Sequence, residues 1–173
     1  MKLVRTINSW TCLPAAVATH FLWGQMKPLR VVFHELGHDG SEIVRDGEDP
    51  FCRRGFHPQE FYELCFRLGY CTTQIDLYPA SQPNLKSEFC TFERILGEGC
   101  EQRFFRHLSN SFGWIYCRTR SGTGHALAYE NATLGDPATG LIFDCQSLQD
   151  AESRGFYLVS LFRLDSMRGE SQC

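Results

Sequence analysis

At Phe112 the apolar pattern of this chain changes, and that change limits the possible folds more than any other feature. Upstream, apolar residues recur at helical spacing: Leu29, Val32, Phe33 and Leu36, then Phe61, Leu64, Cys65 and Leu68. Downstream, Phe112–Arg118, His125–Glu130, Leu141–Phe143 and Gly155–Leu164 are short β-rich runs separated by Gly, Asn, Asp and Pro. Helices first and antiparallel strands last is the order of an α+β domain, with a helical N-terminal half and a sheet-forming C-terminal half. With 173 residues, no internal repeat and no linker, the expectation is a single domain over 1–173.

The helical half can be read more closely. Cys12 to about Trp23 predicts a helix with small residues on one face, stopped at Gly24. Met26–Leu36 predicts a second, with Pro28 near its start and Gly37 at its end. Gly40–Gly55 is charged and punctuated, so it reads as a long loop. His57–Pro58–Gln59–Glu60 opens a third helix that Gly69 closes, and Tyr70–Leu77 alternates as a strand does. Pro79–Asn84 reads as a loop, and Phe89–Leu108 as one or two helices broken around Gly97 and Gly99.

Composition excludes several functions. Hydrophobic content of 43% argues against a disordered chain, and no run of Lys or Arg accompanies the net charge of −3, so neither nucleic acid nor an anionic membrane is an expected partner. No apolar stretch approaches a membrane span, and Met1–Arg5 lacks the apolar core of a secretion signal. The nine cysteines are an odd number without a secretion signal, which points to mostly reduced thiols in a cytoplasmic setting, and the lack of a C-x-x-C pair argues against a structural zinc site.

One cysteine stands apart. In Ile7–Ala18 (I-N-S-W-T-C-L-P-A-A-V-A), polar and turn-forming residues precede Cys12 and a compact apolar run follows it. Pro14 fits a first helical turn, so Cys12 belongs at a helix start, where unpaired N–H groups and the positive end of the dipole favour a thiolate nucleophile. A nucleophilic thiol needs a base, and the base needs an orienting group. His125 lies in S-G-T-G-H-A-L-A-Y-E, where glycines leave room around the imidazole as a strand begins. Asp136, in G-D-P-A-T-G, fits a turn that antiparallel pairing would bring beside it. The competing readings are a buried structural cysteine, a surface strand histidine and a turn-forming aspartate.

C-L-P-A-A near the N-terminus, then G-H-A-L-A, then D-P-A-T-G, resembles the papain-like cysteine peptidases that cleave bacteriocin leaders after double glycine. The likeness is greatest to small stand-alone relatives of phage and bacterial genomes. It extends to G-H-D-G-S-E-I at Gly37–Ile43 and R-R-G-F-H-P-Q-E at Arg53–Glu60. The resemblance implies a papain-like fold with Cys12 as nucleophile, His125 as general base and acid, and Asp136 as its orienter. Relatives carry a glutamine six residues before the cysteine, where its amide helps to hold the oxyanion. Thr6 stands there in this chain, and Asn8 is the nearby residue that can supply an amide instead.

A rival motif is present. His34–Glu35–Leu36–Gly37–His38 matches the H-E-x-x-H zinc-peptidase signature, which needs both imidazoles on one helical face and a third ligand, Glu42 or Asp46 being the nearest carboxylates. Asp39–Gly40–Ser41 ends any such helix at once, so the thiol reading, with no metal and no cofactor, takes precedence. The expected function is thiol hydrolysis of a peptide or isopeptide bond in a peptide or protein substrate, with a glycine-rich or ubiquitin-like C-terminus as one form. Acyl transfer to an amine would use the same residues, and a binding module on an inactive peptidase scaffold is the third alternative. The expected compartment is the cytoplasm, that of the host for a phage-encoded chain.

Overall fold

A computed structural model describes residues 1–22, 24–37, 56, 58–77 and 99–167. The expected loops at Gly40–Gly55 and Pro79–Asn84, the residues Trp23, His38, Glu42, Asp46, Arg53, Arg54 and His57, and the stretch from Phe89 to Gly97 lie outside the described residues.

Helix α1 spans Cys12–Phe21, with Pro14 inside its first turn, where a missing N–H removes no helical hydrogen bond. Ala15, Ala16, Val17 and Ala18 are all buried, so the small-residue face is what lets this helix lie close against the sheet. Helix α2 is Pro28–Glu35, with proline at its start; Gly37, at φ 69°, ends it in a conformation open to glycine. Helix α3 is Glu60–Arg67, burying Phe61, Leu64 and Cys65 as the spacing predicts. Strand β1 is Tyr70–Asp76. Helix α4, Cys100–Ser109, starts after the left-handed Gly99 and buries Phe104 and Leu108. Strands β2 (Phe112–Thr119), β3 (Gly124–Glu130), β4 (Thr133–Gly135) and β5 (Ile142–Asp144) follow, then helix α5 (Leu148–Ser153) and strand β6 (Phe156–Ser166).

These strands form one antiparallel six-stranded sheet in the order β1-β6-β2-β3-β4-β5. The class is therefore α+β, as the sequence predicts. The division into a helical half and a sheet half is less clean than expected, because β1 from the helical half pairs with β6 along the sheet edge. Strand alternation sends side chains to both faces of the sheet, and both faces are covered. Trp114, Ala126, Ala128, Phe162 and Leu164 pack with α1, α2 and α3. Ile115, Leu127, Tyr129, Leu158 and Leu161 pack with Phe104 and Leu108 of α4 and Ala151 of α5.

Two elements were not expected from the pattern. Strand β4 is only three residues long and joins β3 through Asn131–Ala132, both at positive φ, as a two-residue hairpin turn requires. Helix α5 is held at its start by a capping box, in which the Ser147 hydroxyl accepts from the Asp150 N–H and the Asp150 carboxylate accepts from the Ser147 N–H.

Candidate active site

The first described residue of α1 is Cys12, at the place the sequence predicts for it. The turn before it is tied by Thr11, which is fully buried. The Thr11 hydroxyl donates to the Asn8 carbonyl at 3.2 Å and accepts from the Ile7 and Asn8 N–H groups at 3.2 and 3.4 Å. Thr11 therefore folds Ile7–Trp10 back on the helix start rather than capping the helix itself. Because α1 packs along β3 and β2, its N-terminus lies near the beginning of β3, where His125 is the second residue.

The β3–β4 hairpin carries the chain back past His125 and into the Asp136–Gly140 loop. There the His125 Nε2–H donates to Asp136 Oδ1 at 2.8 Å. Asp136 is only 2% exposed, and its carboxylate also accepts from the Ala138 N–H at 2.8 Å and the Thr139 hydroxyl at 2.7 Å. With Nε2 committed to Asp136, Nδ1 is the imidazole nitrogen left to face Cys12, which lies close enough to act electrostatically on His125. The structure thus brings together all three residues named from the sequence.

Electrostatics follow from these contacts. Burial alone would raise the Asp136 pKa, but the hydrogen bonds from His125, Thr139 and Ala138 outweigh it and take it down to about 2. Burial alone would lower the His125 pKa. The hydrogen bond to Asp136 and the electrostatic influence of Asp136 and the nearby Cys12 reverse the effect and carry it up to about 9. An ionised carboxylate is acceptor-only, which assigns the Nε2 proton to His125. The imidazole face is stacked on Phe156 at 5.8 Å and 12°, and Phe156 is stacked on Phe143 at 6.1 Å and 6°. Hydrogen bonding fixes the ring in its plane, and the stack limits tilting out of it.

Other thiols are placed differently. Burial pushes Cys65 and Cys145 up to about 12, and Cys117, opposite His125 on β2, well above its usual value. A β-bulge between Tyr116 and Cys117, where β2 meets β6, lies beside this end of β3. Cys71 is exposed.

Asn8 is half-buried. Its backbone is used by Thr11, whereas its side-chain Oδ1 is buried and has no hydrogen-bond partner among the described residues. The turn is therefore not built from the Asn8 amide. At Thr6 it is the backbone that is engaged, its N–H donating to the Pro137 carbonyl at 3.1 Å.

The rival motif is divided by the end of α2. That helix stops at Glu35, and Glu35 forms an ion pair with Arg67 of α3 at 3.0 Å. His38 lies outside the described residues, so the spacing of the two imidazoles has no counterpart in them. Among the described residues no three His, Cys, Asp or Glu side chains come together in a way that could hold a metal ion. His20 and His107 have partners elsewhere: the Gly113 carbonyl at 2.7 Å for His20 Nε2, and Arg163 at 2.9 Å for His107 Nδ1.

Sequence reasoning missed Thr11, Thr139 and Phe156. Thr139 had a readable signal, since D-x-x-T allows a hydroxyl to reach back to a turn carboxylate. Phe156 had none, because it arrives from β6 through strand pairing. No family model, no curated protein and no solved structure matches this chain. Among the described residues, no helix is long and apolar enough to cross a membrane.

Proposed function

We propose that this chain is a papain-like cysteine peptidase that hydrolyses a peptide or isopeptide bond through Cys12, His125 and Asp136. The observation that carries the reading is the His125–Asp136 hydrogen bond at 2.8 Å, with the carboxylate buried and Cys12 at the start of α1 close to the same imidazole. A histidine used only as a surface strand residue would have no need of a buried carboxylate with three donors on it. The resemblance of C-L-P-A-A, G-H-A-L-A and D-P-A-T-G to the double-glycine peptidases agrees with the same assignment.

In this mechanism the Cys12 thiolate attacks the substrate carbonyl carbon, forming the C–S bond and an oxyanion. His125 gives its Nδ1 proton to the leaving amine as the C–N bond breaks, leaving a thioester. Water then adds to the thioester carbonyl as His125 accepts its proton. The C–S bond breaks, and the acid product leaves with Cys12 restored as thiolate beside the imidazolium. Asp136 keeps its charge throughout and holds the imidazole by Nε2–H. Backbone N–H groups at the start of α1 are available to the oxyanion, since an α-helix leaves its first N–H groups without intrahelical acceptors. The free amide of Asn8 is assigned as a further donor, in the role a glutamine plays in relatives. The same site would act in the cytoplasm on a peptide or protein chain, with glycine-rich or ubiquitin-like C-termini as the first substrates to try.

Reaction with a panel of peptide and ubiquitin-like C-terminal electrophiles, followed by peptide mapping, tests the proposal. The expected result is an adduct on Cys12 that is lost in His125→Gln. An adduct confined to other cysteines, or none with any probe, would reduce the chain to a binding module.

A further inference from the structure

Arg5 sits seven residues before the nucleophile and is exposed, with no place in the chemistry above. Its guanidinium is nevertheless spent on the backbone of the aspartate loop. Arg5 Nε donates to the Pro137 carbonyl at 3.0 Å, and a terminal nitrogen donates to the Ala138 carbonyl at 2.8 Å. The Thr6 N–H reaches the same Pro137 carbonyl. The loop makes room for this: Gly140 is at φ 78°, and a Cβ there would fall on the Arg5 guanidinium. The Gly140 N–H in turn closes the loop by donating to the Asp136 carbonyl at 2.7 Å.

The important unit is the peptide between Pro137 and Ala138. Its carbonyl accepts from Arg5 and Thr6, and its N–H donates to Asp136 Oδ1, the oxygen that also receives His125. A cation on the carbonyl end of a peptide polarises its N–H and makes that N–H a better donor, since hydrogen bonds in series strengthen one another. Meanwhile the chain running from Arg5 to Cys12 is anchored at its other side, where the Val4 N–H donates to Thr19 Oγ1 on α1 at 3.1 Å. Arg5 therefore joins the segment that leads into the nucleophile to the loop that bears the orienting carboxylate.

We infer that Arg5 is a positioning residue of this site, acting on His125 through the 137–138 peptide and Asp136; the inference rests on the peptidase reading above. Removing its donors leaves the Asp136 carboxylate less firmly placed and less strongly hydrogen-bonded. His125 then loses part of the interaction that keeps it protonated, and its titration moves down.

The test uses the whole chain and no substrate. His125 is titrated by NMR in protein with labelled histidine, its signal assigned by comparison with His125→Gln, in the wild type, Arg5→Met and Arg5→Lys. Cys12 alkylation by iodoacetamide is followed across the same pH range, with melting temperature recorded for each variant. Arg5→Met keeps the apolar stem and removes every donor; Arg5→Lys keeps the charge but not the fork. The expected order of His125 pKa is wild type, then Lys, then Met, with the Met variant lower by about half a unit or more, equivalent to about threefold in proton affinity. A merely structural arginine would lower the melting temperature and leave the titration in place. Identical titrations in all three proteins overturn the inference, as does a wild-type value in Arg5→Lys when Arg5→Met does not fold. The wild-type arm tests the peptidase reading separately. If Cys12 alkylates no faster than the exposed Cys71 near neutral pH, that reading fails whatever the Arg5 variants do.

Discussion

Cys12 is surrounded by chemistry that no other described thiol has. Cys65, Cys117 and Cys145 are buried and held protonated, whereas Cys12 lies beside an imidazole kept charged by Asp136. Limited iodoacetamide labelling near neutral pH should therefore modify Cys12 before any other cysteine, and mass mapping would show it. The ion pair also leaves a mark on stability. His125 is raised from 6.5 to about 9 in the folded chain, so its contribution is fully present below pH 6.5 and is lost as pH rises through 9. Asp136 is lowered from 3.8 to about 2, so its contribution is present above pH 3.8 and is lost as pH falls through 2. The urea midpoint should fall between pH 6.5 and 9, and His125→Gln should flatten that part of the curve; an unchanged slope would mean that the pair does not form. Asn8→Ala separates a donor from a turn former. With Thr11 already holding the turn, the variant should keep its melting temperature and its KM while kcat falls about tenfold or more. A fully active variant would leave the oxyanion to backbone N–H groups alone.

Among the elements, those with long amphipathic patterns were legible and those fixed by a few local contacts were not. Helices α2 and α3 and strand β1 fall close to where their apolar spacing and flanking Pro and Gly put them. Helix α1 was legible from Pro14 and its alanines, though it ends at Phe21 rather than about Trp23. Strand β4 was not, because three residues cannot show alternation and Asn131–Ala132 lacks the glycine that usually marks its turn. Helix α5 carries its signal only in the Ser147–Asp150 box. Ser147→Ala should lower stability by about 1 kcal/mol, read as a lower melting temperature with Cys12 labelling unchanged. The candidate site was legible in Cys12, His125 and Asp136 because the motifs that carry them are local. Arg5 was hidden because its partners are main-chain carbonyls, and a carbonyl leaves no trace in residue identity.

For the molecule as a whole, the order β1-β6-β2-β3-β4-β5 has the last described strand in the interior of the sheet. β6 pairs with β1 on one side and β2 on the other, and it also delivers Phe156 to the face of His125. A chain ending at Gly155 keeps Cys12, His125 and Asp136 yet has β1 without its partner and Ile115 and Trp114 facing a gap. That truncated chain should form no electrophile adduct specific to Cys12 and should lack a cooperative melt; specific labelling would show that the sheet closes without β6. The arrangement also sets a schedule for synthesis. Cys12 leaves the ribosome early, but the strand that completes the sheet follows roughly 10–30 s later at ordinary elongation rates. Until then β1 and β2 lack the strand that joins them and His125 lacks the Phe156 ring on its face, so the candidate site is complete only once β6 has been made.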